Sequence, residues 1–372
     1  MIILPLLLSM ILLQWSFMAM IPIDEDVILR LSDRAPVTVE QMADQLAMHR
    51  IVLVGESHDN PAHHAIQLNV IRQLQARALK LAVAMEMFPR HLQPQLDRWV
   101  AGELTEEAFL DAVEWYFTWG FDAELYLPIL RYARDQKIPL LAMNIRRETV
   151  SAVRKKGLAG LEIETRDTLP PMCPAPLGHR IRLEEVFQSH PMMSATGNFD
   201  YFVEAHSVWD GVMADALKKW SDAHPGGLVV GLAGAGHIMM GYGIPHQLRQ
   251  RGVEDWVTLL PWSVGDSWID PQAADFAWGT PETKESSPPM QLGITMDDKR
   301  QDGVWVLTVV EDSLAAKGGI RAKDRVLRFN DREVTSRHAL VRMVRGLPHH
   351  EREVRVVLER DGKEEEVLLA IY

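Results

Sequence analysis

Four side chains able to bind a cation or move a proton stand at the ends of apolar runs. Gly55-Glu56-Ser57-His58 closes HRIVLVGE (49–56), Glu86 closes LKLAVAME (79–86), and Gly234-Ala235-Gly236-His237 follows GGLVVGLAG (226–234). Asn144 ends a further run, IPLLAMN (138–144). Carboxylate and imidazole together suit a divalent transition metal whose open positions take water or substrate. A carboxylate in such a cleft serves equally as a general base. Gly55 and Gly236 let the backbone turn sharply or approach a ligand closely. The plainer account is that Glu56 caps a helix starting at Pro61 and that both histidines are ordinary loop residues bonded to backbone.

What brings these residues together is the pattern of the runs. With DWVTLLPW (255–262) they make five short strands, apolar on both faces and mostly followed by helical periodicity. Such strands belong to an α/β fold, a mainly parallel sheet with helices on both faces. Ligands bind there outside the carboxyl ends of the strands, which is where Glu56, His58, Glu86 and His237 fall. Asn60 followed by Pro61 starts a helix with Ile66, Val70 and Leu74 as its apolar stripe. Residues 89–136 read as helical with a break at Trp119-Gly120-Phe121, 169–178 as a proline-rich loop, and 198–222 as a further helix.

The chain as a whole bounds the answer. Its 372 residues suffice for two domains, and 47% hydrophobic with 24% charged residues is the composition of a globular protein. A net charge of −12 without a long Lys/Arg run argues against a nucleic-acid partner. Cys173 is the sole cysteine, so no disulfide forms within the chain. Residues 1–23 carry no charged side chain. They read as a signal peptide, with Ala19 the best cleavage position, or as a membrane anchor weakened by Pro5 and Gln14. The expectation is an exported protein, periplasmic or held in the cell envelope of a bacterium. The α/β domain is expected over 24–265, a linker over 266–289, where composition turns to Asp, Pro, Ser, Glu and Thr, and a small β-rich domain over 290–372.

The segments IVLVGESHDNPAHHAIQL, AVAMEMFPR, EWYFTWGFDAELYLPILRYARDQKIPLLAMNI, FDYFVEAHSVWDGVMADAL and GAGHIMMGYGIPHQL resemble the ChaN-like family of haem-binding proteins, over roughly residues 45–262. The wider superfamily, which includes the Tiki metalloproteases, shares two G-x-x-H segments and a glutamate. They map onto Gly55 to His58, Gly234 to His237, and Glu86, the residues already selected at the strand ends. The resemblance implies a haem site at Glu56, His58, Glu86 and His237 and a role in haem or iron uptake, and it leaves open whether one chain holds the site or two copies share it as a homodimer. The alternative from the same superfamily is a metal-dependent hydrolase, with His58, His237 and Glu86 holding the cation and Glu56 and Glu86 as acid–base groups.

Haem iron takes His, Tyr, Met or Cys, which adds His63, His64 and Tyr242 as further ligands to consider. His63 and His64 point about 100° apart on a helix, so one of them faces the site. His190 and His206 read as surface or locally bonded histidines. Cys173-Pro174 matches a short haem-responsive dipeptide that arises often by chance. Trp115, Trp119 and Trp209 read as core filling before porphyrin packing.

At the C-terminal end, Gln291-Leu292-Gly293-Ile294 followed by GVWVLTVVEDSLAAKGGIRAKDRVLRFNDREVTS resembles a PDZ domain of the bacterial type. Such a domain binds an extended or C-terminal peptide as an added strand, with Leu292, Gly293 and Ile294 offering backbone N–H groups to the terminal carboxylate. The helix at about 336–345 forms the other wall of the groove, with Leu340 among its residues.

Overall fold

The computed structural model describes residues 21–78, 80–266, 268–282, 290–300, 302–348 and 351–371. Eight strands form the larger sheet: β1 (Ile28–Arg30), β2 (Ala35–Val37), β3 (Ile51–Glu56), β4 (Leu81–Pro89), β5 (Leu140–Asn144), β6 (Leu228–Gly234), β7 (Trp256–Ser263) and β8 (Phe276–Thr280). Their spatial order is β2-β1-β8-β7-β3-β6-β4-β5. From β8 to β5 every pairing is parallel, and only β1 and β2 run against their neighbours.

Residues alternate between the two faces of the sheet. Val52, Val54, Val83, Met85, Val230 and Leu232 pack into the core under the helices on one side. Leu53, Ala82, Ala84 and Val229 face the Phe199–Ala223 helix on the other, among them Met213 and Leu217. Both faces being covered, these strands have no polar face, which is why they read as continuous apolar runs.

Three features depart from the sequence reading. Residues 276–280, expected within the linker, form strand β8 in the large sheet, paired with β7 and β1. Ile21 pairs with Ile269 and Ile23 is buried, so the described fold already includes residues 21–23 of the stretch expected to be signal or anchor. Residues 1–20, where the signal or anchor reading otherwise falls, lie outside the described residues. Among those described, no helix is long and apolar enough to cross a membrane. The third is the short β1–β2 hairpin, whose three-residue strands gave too brief a pattern to read.

The C-terminal sheet is antiparallel and built from β9 (Ile294–Met296), β10 (Val304–Val309), β11 (Arg325–Phe329), β12 (Arg332–Glu333), β13 (Glu353–Arg360) and β14 (Lys363–Ala370). Its long helix, Arg337–Arg345, is capped by Ser336, whose hydroxyl accepts from the Ala339 N–H. Leu340, expected in the groove wall, lies instead in the core of this domain at 2% exposure. The opposite face of the helix docks on the α/β domain. His338 Nδ1 is 2.7 Å from Asp111, Arg342 reaches Asp111 at 3.2 Å and Glu107 at 2.5 Å, and Arg345 donates to the Gly120 carbonyl. The His338 ring stacks on Tyr116 with centroids 5.4 Å apart.

Candidate functional site

Strand β6 lies between β3 and β4, and Glu56 sits in register with Gly234. The two glutamates therefore come to either side of the end of β6. A register shift between β4 and β5 falls between Met85 and Pro89, the stretch that contains Glu86. Such an irregularity re-aims a side chain at the rim of a sheet. Asn144, at the end of β5, donates to the Glu86 carbonyl at 2.7 Å and steadies that bulge.

Glu56 is the centre of the first group. One carboxylate oxygen accepts from His58 Nδ1 at 2.7 Å and from the Tyr126 hydroxyl at 2.9 Å; the other accepts from Gln67 at 2.8 Å. His64 Nδ1 is a further 3.3 Å contact. Burial raises the Glu56 pKa, but the hydrogen bonds and charges of His58 and His64 outweigh it and bring it down to about 2. For His58, burial favours the neutral ring, while Glu56 and Glu86 prevail and hold its pKa above the ordinary value. Trp119 and Phe121 pack on the His58 ring with centroids 4.7 and 4.9 Å away. They are placed there by the break at Gly120, which adopts φ +91°, and by Asp122, which caps the following helix.

The second group is Asp210, His237 and Glu86. His237 Nδ1 is 2.6 Å from Asp210, and Nε2 is 3.4 Å from Glu86. Glu86 also accepts the Gly234 N–H at 2.7 Å. Burial opposes a charged His237, yet Glu86 and then Asp210 hold its pKa well above the ordinary value. Burial likewise raises the Glu86 pKa, and His237 overcomes it to leave Glu86 lowered. Gly234 is required here: a Cβ would stand 2.9 Å from His58 Cε1. Gly236, by contrast, has open space where a Cβ would go and an ordinary φ, so no close packing explains it.

Between the groups and the solvent opens a cavity of about 580 Å³. His58, Glu86 and His237 line it, with Phe117, Trp119 and Phe121 along one wall. Among the described residues no three His, Cys, Asp or Glu side chains are arranged to hold a metal ion. Here His58 pairs with Glu56, His237 with Asp210 and Glu86, and Glu86 also with the Gly234 N–H.

Residues 42–248 match the family described as haem-binding uptake, Tiki superfamily, ChaN, and residues 290–371 match the PDZ domain. The first match spans more than half of the chain. The protein belongs to the ChaN family. A solved structure, described as cofacial heme binding to ChaN of Campylobacter jejuni, is 20% identical, covers 69% of this chain and 98% of its own, and superposes with a TM-score of 0.55, which establishes the shared fold. Protein RETICULATA-RELATED 5, chloroplastic, of Arabidopsis thaliana is 25% identical over 226 residues, 56% of this chain. The match spans only 30% of that relative's length.

Within the ChaN-type domain the other sequence candidates take different places. His63 Nδ1 accepts the Ser57 N–H at 2.8 Å, and burial with the His64 charge holds its pKa near 4, so it is a neutral support for the strand-end loop. His64 bonds Gln67 and the His58 carbonyl and braces Glu56 from behind. Tyr242 stacks against His179, centroids 5.9 Å apart, outside the cavity lining. Cys173 is tied through its backbone to Gln247, and His190 is exposed, bonding Val186 O. His206 is not a surface histidine: it packs on Phe202, with its ring 6.1 Å from that of His237. Trp119 and Trp209 line the cavity, while Trp115 is core. In the PDZ domain, Leu292 is buried and Gly293 adopts φ +78°, where a Cβ would strike Ser313; Ile294 opens β9.

Sequence reasoning missed Asp210, Tyr126 and Gln67. Asp210 carried a signal, a single acid in the middle of an otherwise apolar helical stretch, VWDGVM. Tyr126 and Gln67 carried none, since both sit at ordinary helical positions.

Proposed function

We propose that this chain binds haem in the cavity at the carboxyl edge of the large sheet. It works in the cell envelope, in haem or iron uptake, with its PDZ domain holding an extended or C-terminal peptide of a partner protein. The observation that carries the haem reading is the make-up of the cavity. At about 580 Å³ it is of cofactor size. Aromatic rings form one wall, to which a porphyrin face is suited, and two imidazoles meet it at the strand ends. Haem, if bound, would supply an iron that takes an imidazole nitrogen as ligand.

His58 and His237 are the residues that would hold it, and they are not equivalent. Both nitrogens of His237 are engaged, by Asp210 and Glu86. His58 uses Nδ1 on Glu56, an arrangement that fixes the tautomer and leaves Nε2 as the ligating nitrogen. Glu56, Tyr126 and Gln67 hold that ring in place, and Trp119 and Phe121 pack on it.

Titration of the purified full chain with haemin tests this reading. A Soret band displaced from that of free haemin, rising to saturation, is expected, with His58→Ala altering the band. Saturation at one haem per chain or at a pair of haems between two copies distinguishes a separate from a shared site. Absence of saturable binding rejects the proposal.

A further inference from the structure

The cavity lining also carries arginines. The helix Arg147–Lys156 starts just after β5, and Arg146, Arg147 and Arg154 all reach the lining. Arg154 is only half-buried as a residue, yet its Nε is buried and has no hydrogen-bond partner among the described residues. It makes no ion pair with any of them. Its guanidinium carbon lies 5.6 Å from the centre of the Phe202 ring. Burial lowers the Arg154 pKa, and Arg147, another cation, lowers it further.

A buried donor left unmet costs free energy, and more so when it is charged. The lining offers Arg154 no remedy. Glu86 is committed to His237 and Gly234. Neither Glu148 nor Glu114 forms an ion pair with Arg154 among the described residues. Trp209, also in the lining, has a buried indole N–H that finds no acceptor. Three residues of the lining, Arg154, Trp119 and Trp209, thus each carry a buried N–H without a partner among the described residues, and only Arg154 among them is a cation.

We propose that Arg154, supported by Arg146 and Arg147, forms a carboxylate-binding subsite for the acidic edge of the ring held in this cavity, which for haem is a propionate. The inference rests on the haem reading and adds an orientation to it. The acidic edge lies toward the arginines, and the iron lies toward His58. The planar guanidinium fork matches a carboxylate with two parallel hydrogen bonds, which a point charge does not.

The test compares haemin with haemin dimethyl ester, which keeps the iron and the ring and removes both carboxylate charges. Full-length wild type, Arg154→Gln and Arg147→Gln are each titrated with both, following the Soret band and tryptophan fluorescence. Loss of a charge-assisted hydrogen bond predicts that haemin binds Arg154→Gln about 10- to 100-fold more weakly. The ester is expected to bind the variant and wild type alike, and Arg147→Gln to show a smaller loss in the same direction. Unchanged haemin affinity in Arg154→Gln, or an equal loss for the ester, overturns the subsite. If Arg154→Gln fails to fold, the ratio of haemin to ester affinity in wild type and Arg147→Gln decides, and equal ratios overturn it. Wild type that binds neither compound overturns the haem reading as well, whereas wild type that binds both but prefers neither overturns the subsite alone.

Discussion

Replacing Asp210 by asparagine removes one charge from the buried relay while keeping its shape. Asp210 is 1% exposed, and its carboxylate accepts from His237 at 2.6 Å. A hydrogen bond to a charged group contributes about 1.5–3 kcal/mol, and breaking a buried ion pair outright costs about 3–5 kcal/mol. Glu86 remains 3.4 Å from the other ring nitrogen and still neutralises the imidazolium. The lower range therefore applies, and a loss of about 2 kcal/mol is expected at pH 6. Glu86 and Asp210 overcome burial and hold the folded pKa of His237 well above its ordinary value. Its stabilising contribution is thus complete below the unfolded value and is lost as pH rises through the folded one. Asparagine lowers that folded pKa, so the gap between variant and wild type is widest at pH 6 and narrows as the solution becomes alkaline. Urea unfolding followed by tryptophan fluorescence across this range measures the gap, and NMR of the His237 ring measures its titration. A gap that stays constant with pH, or a His237 pKa that the substitution leaves unmoved, would refute the reasoning.

Three further outcomes follow from the same geometry. Glu56 has a lowered pKa of about 2, so its contribution is present above the unfolded value and lost as pH falls toward 2; Glu56→Gln should flatten that acid limb in unfolding experiments. Gly234→Ala places a methyl group 2.9 Å from His58 and should cost about 1–3 kcal/mol by overpacking, with a displaced His58 signal in NMR spectra. Asp111→Ala removes the partner shared by His338 and Arg342 and should release the PDZ domain, seen as faster hydrogen exchange at 337–345; exchange equal to wild type would mean that the aromatic contact with Tyr116 suffices.

Much of this arrangement was legible in the chain. Runs apolar on both faces identified the parallel strands, because a strand covered by helices on each side has no polar face to show. Their polar ends, Glu56 with His58, Glu86, and His237, followed from where such runs stop. The helix break before Phe121 was readable from Gly120. Strand β8 was not, since Phe-Ala-Trp-Gly-Thr lies in a Pro/Ser/Asp-rich stretch and becomes a strand only by pairing with β7 and β1. His206 was misjudged because helical periodicity places a residue on a face without saying what that face meets.

By itself the sequence determined which segments must be buried and which acids and histidines stand at their ends, because burial periodicity and strand termini are local properties of the chain. Only the tertiary structure decided which partner each of those groups takes: Asp210 with His237, Tyr126 and Gln67 with Glu56, and no counter-ion among the described residues for Arg154. Pairing depends on distances of a few ångströms between residues remote in sequence, and those are set by sheet order and helix packing.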